Sequence, residues 1–600
     1  SAAGRMRIAI APSNENVVYF GGLSDGAGFI PSLLHYTYRS SDGSGSGGTW
    51  DDRSRNVPSP TDLHDAGGVN TYGGYAEALR VLPTDENTVF FGGTNLFRST
   101  DGFQTSDNIA WIGGYYGPYL AGQYDSTQSY PNHHPDNHDL QFLASDPNTL
   151  YSANDGGIYV SHDCLDDNSE GRPIEWTILN SNDKASIVYV VAIDHATLGD
   201  TTVLGGFQDQ GSWLRTENNS WTQYDGGDGC FCEIADHKAA YYMTSESGYI
   251  DQWFLAPDFS YVSSNFDFRP GFGTPEFLSP YELDPNNNNQ MYYSAGNSIW
   301  IDNDLTNPLQ SWTLIENAPG NAFISALTVS TVPGQELFYG TSNGEVFRVD
   351  QANTASPVLK EITGAAFPKN AFVSCITVDP QNADSIVVCF SNYHVISIFA
   401  SNDGGTTWRN VSGNLEQFPD GSGDGPSVRW VTLVHQKVQE LYLCGTSVGL
   451  FSTADISGSE VTWTQEGVNT IGYATVENID ARQSDGFVAI ATQGSGVFTS
   501  HVVSDVSGVE APSIAALSFD IWPNPIANVA QIQFTLSSSA RASLRMYDVT
   551  GKTVADLAEG NYSEGMNHAS FDCTTLPPGS YFIQLETPDA VETRRIVIRH

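Results

Sequence analysis

Basic residues are scarce in this sequence of 600 residues. Lys and Arg total 25 against 69 Asp and Glu, which gives a formal net charge of −44. Phosphate recognition needs a basic footprint, so this balance excludes a nucleic-acid-binding function and disfavours binding to anionic membrane surfaces. Solubility explains the acidity most simply, and calcium binding is the sharper alternative.

Long apolar runs and cysteines are also lacking. No stretch approaches the roughly 18 apolar residues of a membrane-spanning helix, and seven cysteines are too few for a disulfide scaffold. Only 16% of the residues are charged, whereas 58 are glycine and 12% are aromatic, which favours a turn-rich all-β protein. The sequence starts at Ser1 without an apolar leader, so we expect that upstream residues, including any export signal, have been removed or are missing.

A pattern of two apolar strands separated by a turn occurs ten times. The second strands end near Gly21, Gly92, Ala153, Gly205, Thr244, Ala295, Gly340, Phe390, Gly445 and Ala491. Most intervals are about 40–55 residues, as expected for four-stranded propeller blades. Residues 1–502 are therefore predicted to form one large β-propeller, as a single ten-bladed ring rather than two smaller rings. We expect an N-terminal strand to complete the last blade and close the ring.

One turn, residues 401–408, has the sequence S-N-D-G-G-T-T-W. Ser401 and Asp403 can accept hydrogen bonds from turn amides, Gly405 gives backbone freedom, and Thr407 and Trp408 lead into the next strand. The turn resembles the Asp-box (BNR repeat) of sialidase-like and sortilin-like propellers. That resemblance implies the fold but no particular function. Trp residues at matching positions in other copies are expected to pack between blades.

The composition changes after residue 502. Residues 503–516 are small and polar and are predicted to be a linker. Residues 517–600 then contain six or seven short alternating strands, which predicts a small immunoglobulin-like β-sandwich.

The C-terminal module resembles the type A sorting domain of the bacterial type IX (Por) secretion system. The residues that carry the resemblance are Pro523, Asn524, Pro525, Gly551, Lys552, Gly579, Tyr581, Arg594 and Arg595. The resemblance implies export to the medium or outer-membrane surface of a Gram-negative, Bacteroidetes-type bacterium. It also implies an outer-membrane shuttle and a sortase as partners. An ordinary carbohydrate-binding or spacer sandwich is the alternative.

The most unusual segment contains His134, Asp136 and His138. On an extended segment these alternating side chains point to one side. Two imidazoles and a carboxylate can bind a divalent metal, with zinc or calcium as the candidate cofactors. The alternative is a hydrogen-bonded loop that ties blades together.

Four aspartates in Gly-rich turns follow this segment: Asp155, Asp209, Asp225 and Asp228. With the His segment, these turns resemble a bacterial branch of sortilin-like or xyloglucanase-like propellers, and the resemblance implies that they ring the mouth of the central channel. The alternative is that each Asp only stabilises its own turn. Tyr115 and Tyr116 precede the segment, and can either stack on sugar rings or cover a blade edge.

These observations favour a binding scaffold for protein or polysaccharide over an enzyme. The alternative is a glycoside hydrolase, which needs two carboxylates about 5–9 Å apart. Spacing in the sequence singles out no such pair, so no catalytic residue is assigned. A third alternative is an accessory or cargo protein that stays with the type IX secretion machinery.

Overall fold

The chain forms two compact units, Ser1–Ser504 and Asp505–His600. The structure, a computed structural model, describes residues 5–23, 31–39, 46–59, 68–115, 130–167, 173–180, 186–216, 219–271, 273–307, 309–320, 322–435, 440–458, 460–502, 518–522, 526, 528–536, 538–548, 552–574, 576–587 and 591–599. The predicted linker, residues 503–516, lies outside the described residues. Within the described part, no helix has the length and hydropathy needed to span a bilayer.

The described residues of the first unit form ten antiparallel sheets, which correspond to the ten copies of the sequence pattern and are numbered here as blades 1–10. The first three blades contain the following strands: in blade 1, β1 (Met6–Ile10), β2 (Val17–Leu23), β3 (Pro31–Thr37) and β4 (Thr49–Asp52); in blade 2, β5 (Ala78–Val81), β6 (Val89–Gly92), β7 (Leu96–Ser99) and β8 (Ile109–Gly113); in blade 3, β9 (Asn137–Leu143), β10 (Asp146–Asn154), β11 (Gly157–Ser161) and β12 (Thr177–Ile178).

The next seven blades contain the following strands: in blade 4, β13 (Val188–Ile193), β14 (Val203–Phe207), β15 (Gly211–Arg215) and β16 (Trp221–Asp225); in blade 5, β17 (Cys232–Ile234), β18 (Tyr241–Thr244), β19 (Ile250–Leu255) and β20 (Tyr261–Asn265); in blade 6, β21 (Tyr281–Asp284), β22 (Asn287–Ala295), β23 (Ser298–Asp302) and β24 (Thr313–Asn317); in blade 7, β25 (Ile324–Val329), β26 (Leu337–Thr341), β27 (Val346–Asp350) and β28 (Val358–Glu361); in blade 8, β29 (Val373–Asp379), β30 (Asn382–Phe390), β31 (Ile398–Ser401) and β32 (Arg409–Asn410); in blade 9, β33 (Val428–His435), β34 (Glu440–Thr446), β35 (Gly449–Thr453) and β36 (Thr464–Glu466); in blade 10, β37 (Thr475–Ala481), β38 (Phe487–Gln493) and β39 (Val497–His501).

Each blade is a meander whose strands pair in chain order. Because the strands alternate in direction, the turn between a blade's second and third strands lies at the end where its first strand begins. The connection from the preceding blade arrives at the same end. We call this end of every blade the upper face, and the loops described below belong to it.

The ten blades do not form one ring, and this differs from the predicted ten-bladed propeller. The first strand of blade 4, β13, packs beside the first strand of blade 10, β37, so blades 4–10 close into a seven-bladed ring. Backbone bridging between Ile187 and Gln493 joins the two blades at the upper face. Blades 1–3 pack in series as a separate arc. β1 pairs with β2 inside blade 1, so it does not complete blade 10 as predicted.

The ring is fastened by a buried arginine in blade 10. The Arg482 guanidinium is fully buried and donates hydrogen bonds to the backbone carbonyls of Asp194 (2.8 Å) and Asp200 (2.7 Å), both in blade 4. The same guanidinium pairs with Asp485 at 2.8 Å, and the Asp485 carboxylate accepts a bond from the Gly199 amide at 2.9 Å. A buried charge is tolerated only when it is paired and hydrogen-bonded, and here all of these contacts fall on the closing interface.

Tryptophans link neighbouring blades, as the sequence predicted. The Trp408 indole donates to the Ile362 carbonyl at 2.8 Å, which joins blade 8 to blade 7. The same contact recurs between blades 9 and 8, where Trp463 donates to Val411 at 3.1 Å. Each indole thus buries a large ring while its N–H keeps a partner.

The 401–408 turn forms the hydrogen-bond network that its residue types predict. Ser401 Oγ accepts from the Gly405 amide at 2.9 Å, and Asp403 accepts from the Thr407 amide (2.8 Å) and hydroxyl (2.6 Å). These bonds hold the pKa of Asp403 low, at about 2. Residues 99–105 of blade 2 build the same network, with Asp101 accepting from the Thr105 hydroxyl at 2.6 Å.

The C-terminal unit is a sandwich of two antiparallel sheets. Its strands are β40 (Ser518–Trp522), β41 (Val529–Leu536), β42 (Ala540–Asp548), β43 (Thr553–Tyr562), β44 (Gly565–Asp572), β45 (Gly579–Glu586) and β46 (Val591–Ile598). One sheet has the order β40-β41-β44 and the other β43-β42-β45-β46. Alternating residues of both sheets, such as Ile532 and Ile583, form a single apolar core between them.

Candidate functional site

Four aspartates meet at the upper face where the arc approaches the ring: Asp136 and Asp155 of blade 3, Asp209 of blade 4, and Asp228 of the connection into blade 5. We call this group the acidic junction. Its carboxylates are close enough for their charges to act on one another. The sequence predicted three of these residues as ligand-facing and Asp136 as a metal ligand.

Asp155 is held by two neighbours. His138 Nε2 pairs with its Oδ1 atom, and the Tyr75 hydroxyl donates to Oδ2 at 3.0 Å. The bond to Asp155 raises the pKa of His138, because it favours the protonated imidazole. Burial and the Asp155 carboxylate raise the pKa of Tyr75, so its hydroxyl stays a donor. Sequence reasoning missed Tyr75, although its position in the Gly-rich connection before β5 places it at the upper face.

Asp209 and His134 connect the arc to the ring. His134 Nε2 lies 2.8 Å from the Asp209 backbone carbonyl, and the Asp209 amide donates to Asp228 Oδ1 at 2.7 Å. Burial raises the pKa of Asp209 to about 7, and the charges of Asp228 and Asp155 add to the shift. Burial likewise raises the pKa of Asp228. Near neutral pH, Asp209 is therefore poised between its protonated and ionised forms.

Asp136 has the most confined carboxyl of the junction. Its Oδ1 atom is buried without a hydrogen-bond partner. Burial raises the pKa of Asp136 to about 7, and the neighbouring Asp155 carboxylate adds to the shift. An unpaired buried oxygen favours the neutral acid, because desolvation costs the charged form more. Asp136 and Asp209 are thus two weak acids beside the hydrogen-bonded Asp155.

The predicted metal set of His134, Asp136 and His138 is not assembled. The alternation assumed an extended segment, but β9 begins only at Asn137 and Asp136 has a φ of +59°, which breaks the alternation. The two imidazoles instead bond to Asp209 and Asp155. Across the described ranges, no group of three or more His, Cys, Asp or Glu side chains is arranged to hold a metal ion.

The remaining predicted residues of the upper face lie apart from the junction or outside the described residues. Asp225 faces Asp251, and burial followed by that charge raises the pKa of Asp225 to about 6. Tyr115 is exposed in the connection before β9. Tyr116 lies outside the described residues. Glu246, which accepts from the Asp228 amide at 3.2 Å, was not predicted, because a Glu in a short turn carries no distinctive signal.

Exposed aromatic rings are concentrated on the upper face of the ring. The described part of the ring exposes eight aromatic side chains. Seven of them belong to upper-face connections: Tyr249, Phe266, Phe277, Phe372, Tyr393, Phe418 and Tyr473. The eighth, Tyr261, lies at the opposite end, where β20 begins. Burial alone would not sort rings by face, so the upper face has the properties of a contact surface.

The predicted structural and sorting residues occupy the following positions. Ser401, Asp403, Gly405, Thr407 and Trp408 form the turn and indole contact described above. In the C-terminal unit, Lys552 precedes β43, Gly579 begins β45, and Arg594 and Arg595 lie on β46. The Tyr581 hydroxyl donates to the Pro577 carbonyl at 2.9 Å, and Arg594 pairs with Glu592 at 2.8 Å. Pro523, Asn524, Pro525 and Gly551 lie outside the described residues.

Two of the solved structures that are similar to this chain are a xyloglucanase and a β-propeller domain. The GH74 xyloglucanase from Xanthomonas campestris aligns with a TM-score of 0.46 and 15% identity, covering 82% of this chain and 66% of that chain. This chain thus spans about two thirds of the length of that xyloglucanase. The β-propeller domain of Cps50 (Swd1) from Myceliophteria thermophila aligns with a TM-score of 0.38 and 12% identity, covering 54% of this chain and 98% of that one.

Comparison of sequences gives a family match within the C-terminal unit. No curated protein matches the chain. Residues 520–599 match the family described as the secretion system C-terminal sorting domain. They carry the spaced motifs noted above and form the two-sheet sandwich. The β-propeller of this chain is therefore followed by a sorting domain of the type IX secretion system, which marks the protein for export.

Proposed function

We propose that this chain is a cell-surface binding protein whose upper propeller face holds a neutral polysaccharide. The observation that carries the proposal is the placement of seven of the eight exposed aromatic rings of the described ring on that face. Aromatic faces stack on the apolar faces of sugar rings, and neighbouring carboxylates accept bonds from sugar hydroxyls. The net charge of −44 repels acidic polymers. Protein ligands are the weaker candidate, because the aromatics are spread over several connections.

Affinity electrophoresis in gels containing a neutral polysaccharide tests this function. Tyr473 is 73% exposed, and Tyr473→Ala is expected to weaken binding about 3- to 10-fold, the loss of one stacked ring. Tyr261→Ala is the matched control, since Tyr261 is 60% exposed at the opposite end of the ring. Equal retardation of Tyr473→Ala and the parent across a panel of neutral polysaccharides would contradict the proposal.

A glycoside hydrolase is the second candidate, and the acidic junction favours it. Hydrolysis of a glycosidic bond needs a protonated carboxyl and an ionised one on either side of the bond. Asp209, with its pKa near 7, supports the acid role, and Asp155 supports the base role. Release of reducing ends by the parent, abolished in both Asp209→Asn and Asp155→Asn, would establish hydrolysis. Binding without release would leave the binding function alone.

Export depends on the C-terminal unit in this proposal. Residues 517–600 would be handed to an outer-membrane shuttle and removed by a surface sortase of a Bacteroidetes-type bacterium. The match of residues 520–599 to the sorting-domain family supports this route. Pull-down of the outer-membrane fraction with residues 503–600 as bait tests the partners. If the tail persists on the surface protein bound to an outer-membrane barrel, the chain is a retained component of the secretion machinery.

A further inference from the structure

Three of the seven cysteines meet at the interface between blades 8 and 9. Cys375 on β29 and Cys389 on β30 belong to blade 8, and Cys444 on β34 belongs to blade 9. All three thiols are buried in the same apolar cluster. Cys375 Sγ lies 3.5 Å from the carbonyl oxygen of Val431, which is the cross-strand partner of Cys444. The fold thus brings together thiols that are far apart in the sequence.

Cys375 and Cys389 are directly opposed on neighbouring antiparallel strands. Directly opposed residues share a face of the sheet and have Cβ atoms about 4.5–5.5 Å apart. The two thiols are free in the structure, and the Cys389 thiol is within hydrogen-bonding distance of the Cys375 sulfur. A disulfide joins Cβ atoms about 3.5–4.5 Å apart, so a closure of about 1 Å is enough to form the bond.

The backbone beside Cys375 is suited to this small closure. The register between β29 and β30 shifts just before Cys375, because Ser374 has no cross-strand partner of its own. Such a β-bulge disrupts the ladder locally and bends the strand. The strand can therefore move towards Cys389 without breaking a regular ladder.

Geometry selects this pair among the seven cysteines, all of which belong to the described residues. The residues directly opposite Cys444 are Val431 and Phe451, and the residue opposite Cys232 is Met243. The remaining three cysteines lie outside the strands: Cys164, Cys230 and Cys573. Cys375 and Cys389 are thus the two cysteines that the sheets place opposite each other.

We propose that Cys375 and Cys389 form a disulfide bond in the exported protein, which ties the first strand of blade 8 to the second. The sorting domain marks the chain for export, and disulfides form and persist in the oxidising surroundings outside the cytoplasm. Both sulfur atoms are fully buried once blade 9 has packed. The bond therefore forms before that packing is complete and is shielded from reductants afterwards. Cys444 stays a free thiol.

The oxidant is a donor disulfide, such as that of a thiol oxidoreductase or of oxidised glutathione. One cysteine thiolate attacks the donor disulfide, which forms a mixed disulfide and releases one donor thiol. The second cysteine attacks the protein sulfur of the mixed disulfide and releases the other donor thiol. The two protein thiols thus lose two protons and two electrons, and the donor disulfide becomes two thiols.

Refolding in a glutathione buffer tests the bond. The reduced 600-residue chain is unfolded in urea, refolded with oxidised and reduced glutathione, and then denatured and alkylated with N-ethylmaleimide. We expect alkylation of five of the seven cysteines. The tryptic peptide of residues 370–409 contains Cys375 and Cys389 and no other cysteine. This peptide should carry no maleimide and be about 2 Da lighter than its reduced form. The same result is expected for protein recovered from the surface of exporting cells.

Cys444→Ala is the matched control, because it removes a thiol from the same interface and leaves the opposed pair. It should still keep maleimide off residues 370–409, whereas Cys389→Ala should be alkylated at all six remaining cysteines. Reduction should lower the urea midpoint of the parent and leave that of Cys389→Ala unchanged. Cys389→Val repeats the test if Cys389→Ala folds poorly.

Two results would overturn the proposal. One is maleimide on both cysteines of residues 370–409, in the refolded parent or in protein from the cell surface. The other is a bond between Cys375 and Cys444, detected as two linked tryptic peptides.

Discussion

The Arg482 guanidinium donates a hydrogen bond of 2.8 Å to the carbonyl of Asp194, which lies 288 residues earlier in the chain. Replacing Arg482 with Leu leaves the Asp485 carboxylate without its cation and two buried carbonyls without a donor. Arg482→Leu is expected to lower the free energy of unfolding by about 3–5 kcal/mol, as for a broken buried ion pair. Urea denaturation, followed by tryptophan fluorescence, measures the change. Arg80→Leu, which removes the partly exposed pair with Asp139, should cost at most about 1 kcal/mol, and equal losses would contradict the role of Arg482.

The acidic junction makes stability depend on pH. The pKa values of Asp136 and Asp209 are about 7 in the folded protein, above the value of about 3.9 in an unfolded chain. The folded state therefore binds these protons more tightly, and the stability they give at low pH is lost as pH rises through about 7.

Asp136→Asn should remove this loss, because the amide stays neutral at every pH. We expect the variant to be more stable than the parent by at least about 1 kcal/mol at pH 8, with the difference shrinking by pH 5. Thermal melts at the two pH values measure it. Glu15→Gln, an exposed carboxyl of blade 1, controls for the change in net charge. A stabilisation of equal size at both pH values would refute the interpretation.

The 401–408 turn should depend on its buried serine. Ser401 Oγ accepts from the Gly405 amide at 2.9 Å and donates to Asp403 at 2.8 Å. Ser401→Ala leaves a buried amide without a partner and should cost about 1–3 kcal/mol of unfolding free energy. Asn402→Ala, an exposed position in the same turn, should change it by less than about 0.5 kcal/mol. Similar denaturation midpoints for the two variants would show that the network does not stabilise the blade.

Removal of the C-terminal unit should abolish export. Deletion of residues 517–600 takes away the sorting domain and leaves the arc and the ring intact, because the C-terminal unit has its own core. We expect the truncated protein to stay inside the cells, as detected by surface protease digestion and immunoblotting of cell fractions. Attachment of residues 503–600 to an unrelated passenger should carry it out. Normal surface display of the truncated protein would disprove the assignment.

Most of the predictions about the blades came from local sequence patterns. Apolar runs ending at Gly340 or Gly445 mark second strands, because small residues there allow close approach of the next blade. A Cβ atom at these glycines would lie within 3 Å of Val373 and Val476, respectively, in the following blades. The 401–408 turn was predictable from residue types alone, since its hydrogen bonds join residues at most four positions apart. The sorting domain was predictable for a similar reason, because its motifs keep their spacing.

Closure of the ring could not be predicted in this way. It depends on Ile187 meeting Gln493 and on Arg482 reaching Asp194, and no local pattern records which strands meet at such separations. The expectation that His134, Asp136 and His138 alternate on an extended segment was wrong at Asp136, because one residue with a positive φ is enough to break the alternation. Tyr75 could not be assigned to the site from the sequence, because it lies 80 positions before Asp155 and only the fold brings the two side chains together.

The contacts between blades 4 and 10 also determine when the ring can close during synthesis of the chain. Blade 4 is synthesised long before blade 10. The side of blade 4 that packs against blade 10 is not covered, and the Ser186 carbonyl does not receive its hydrogen bond from the Gly494 amide, until blade 10 has been made. Until residues near 494 have been synthesised, the earlier blades form an open chain of sheets with unpaired neighbours. A translation product that stops short of residue 494 therefore cannot close the ring. Closure of the ring thus depends on nearly the whole length of the first unit, Ser1–Ser504.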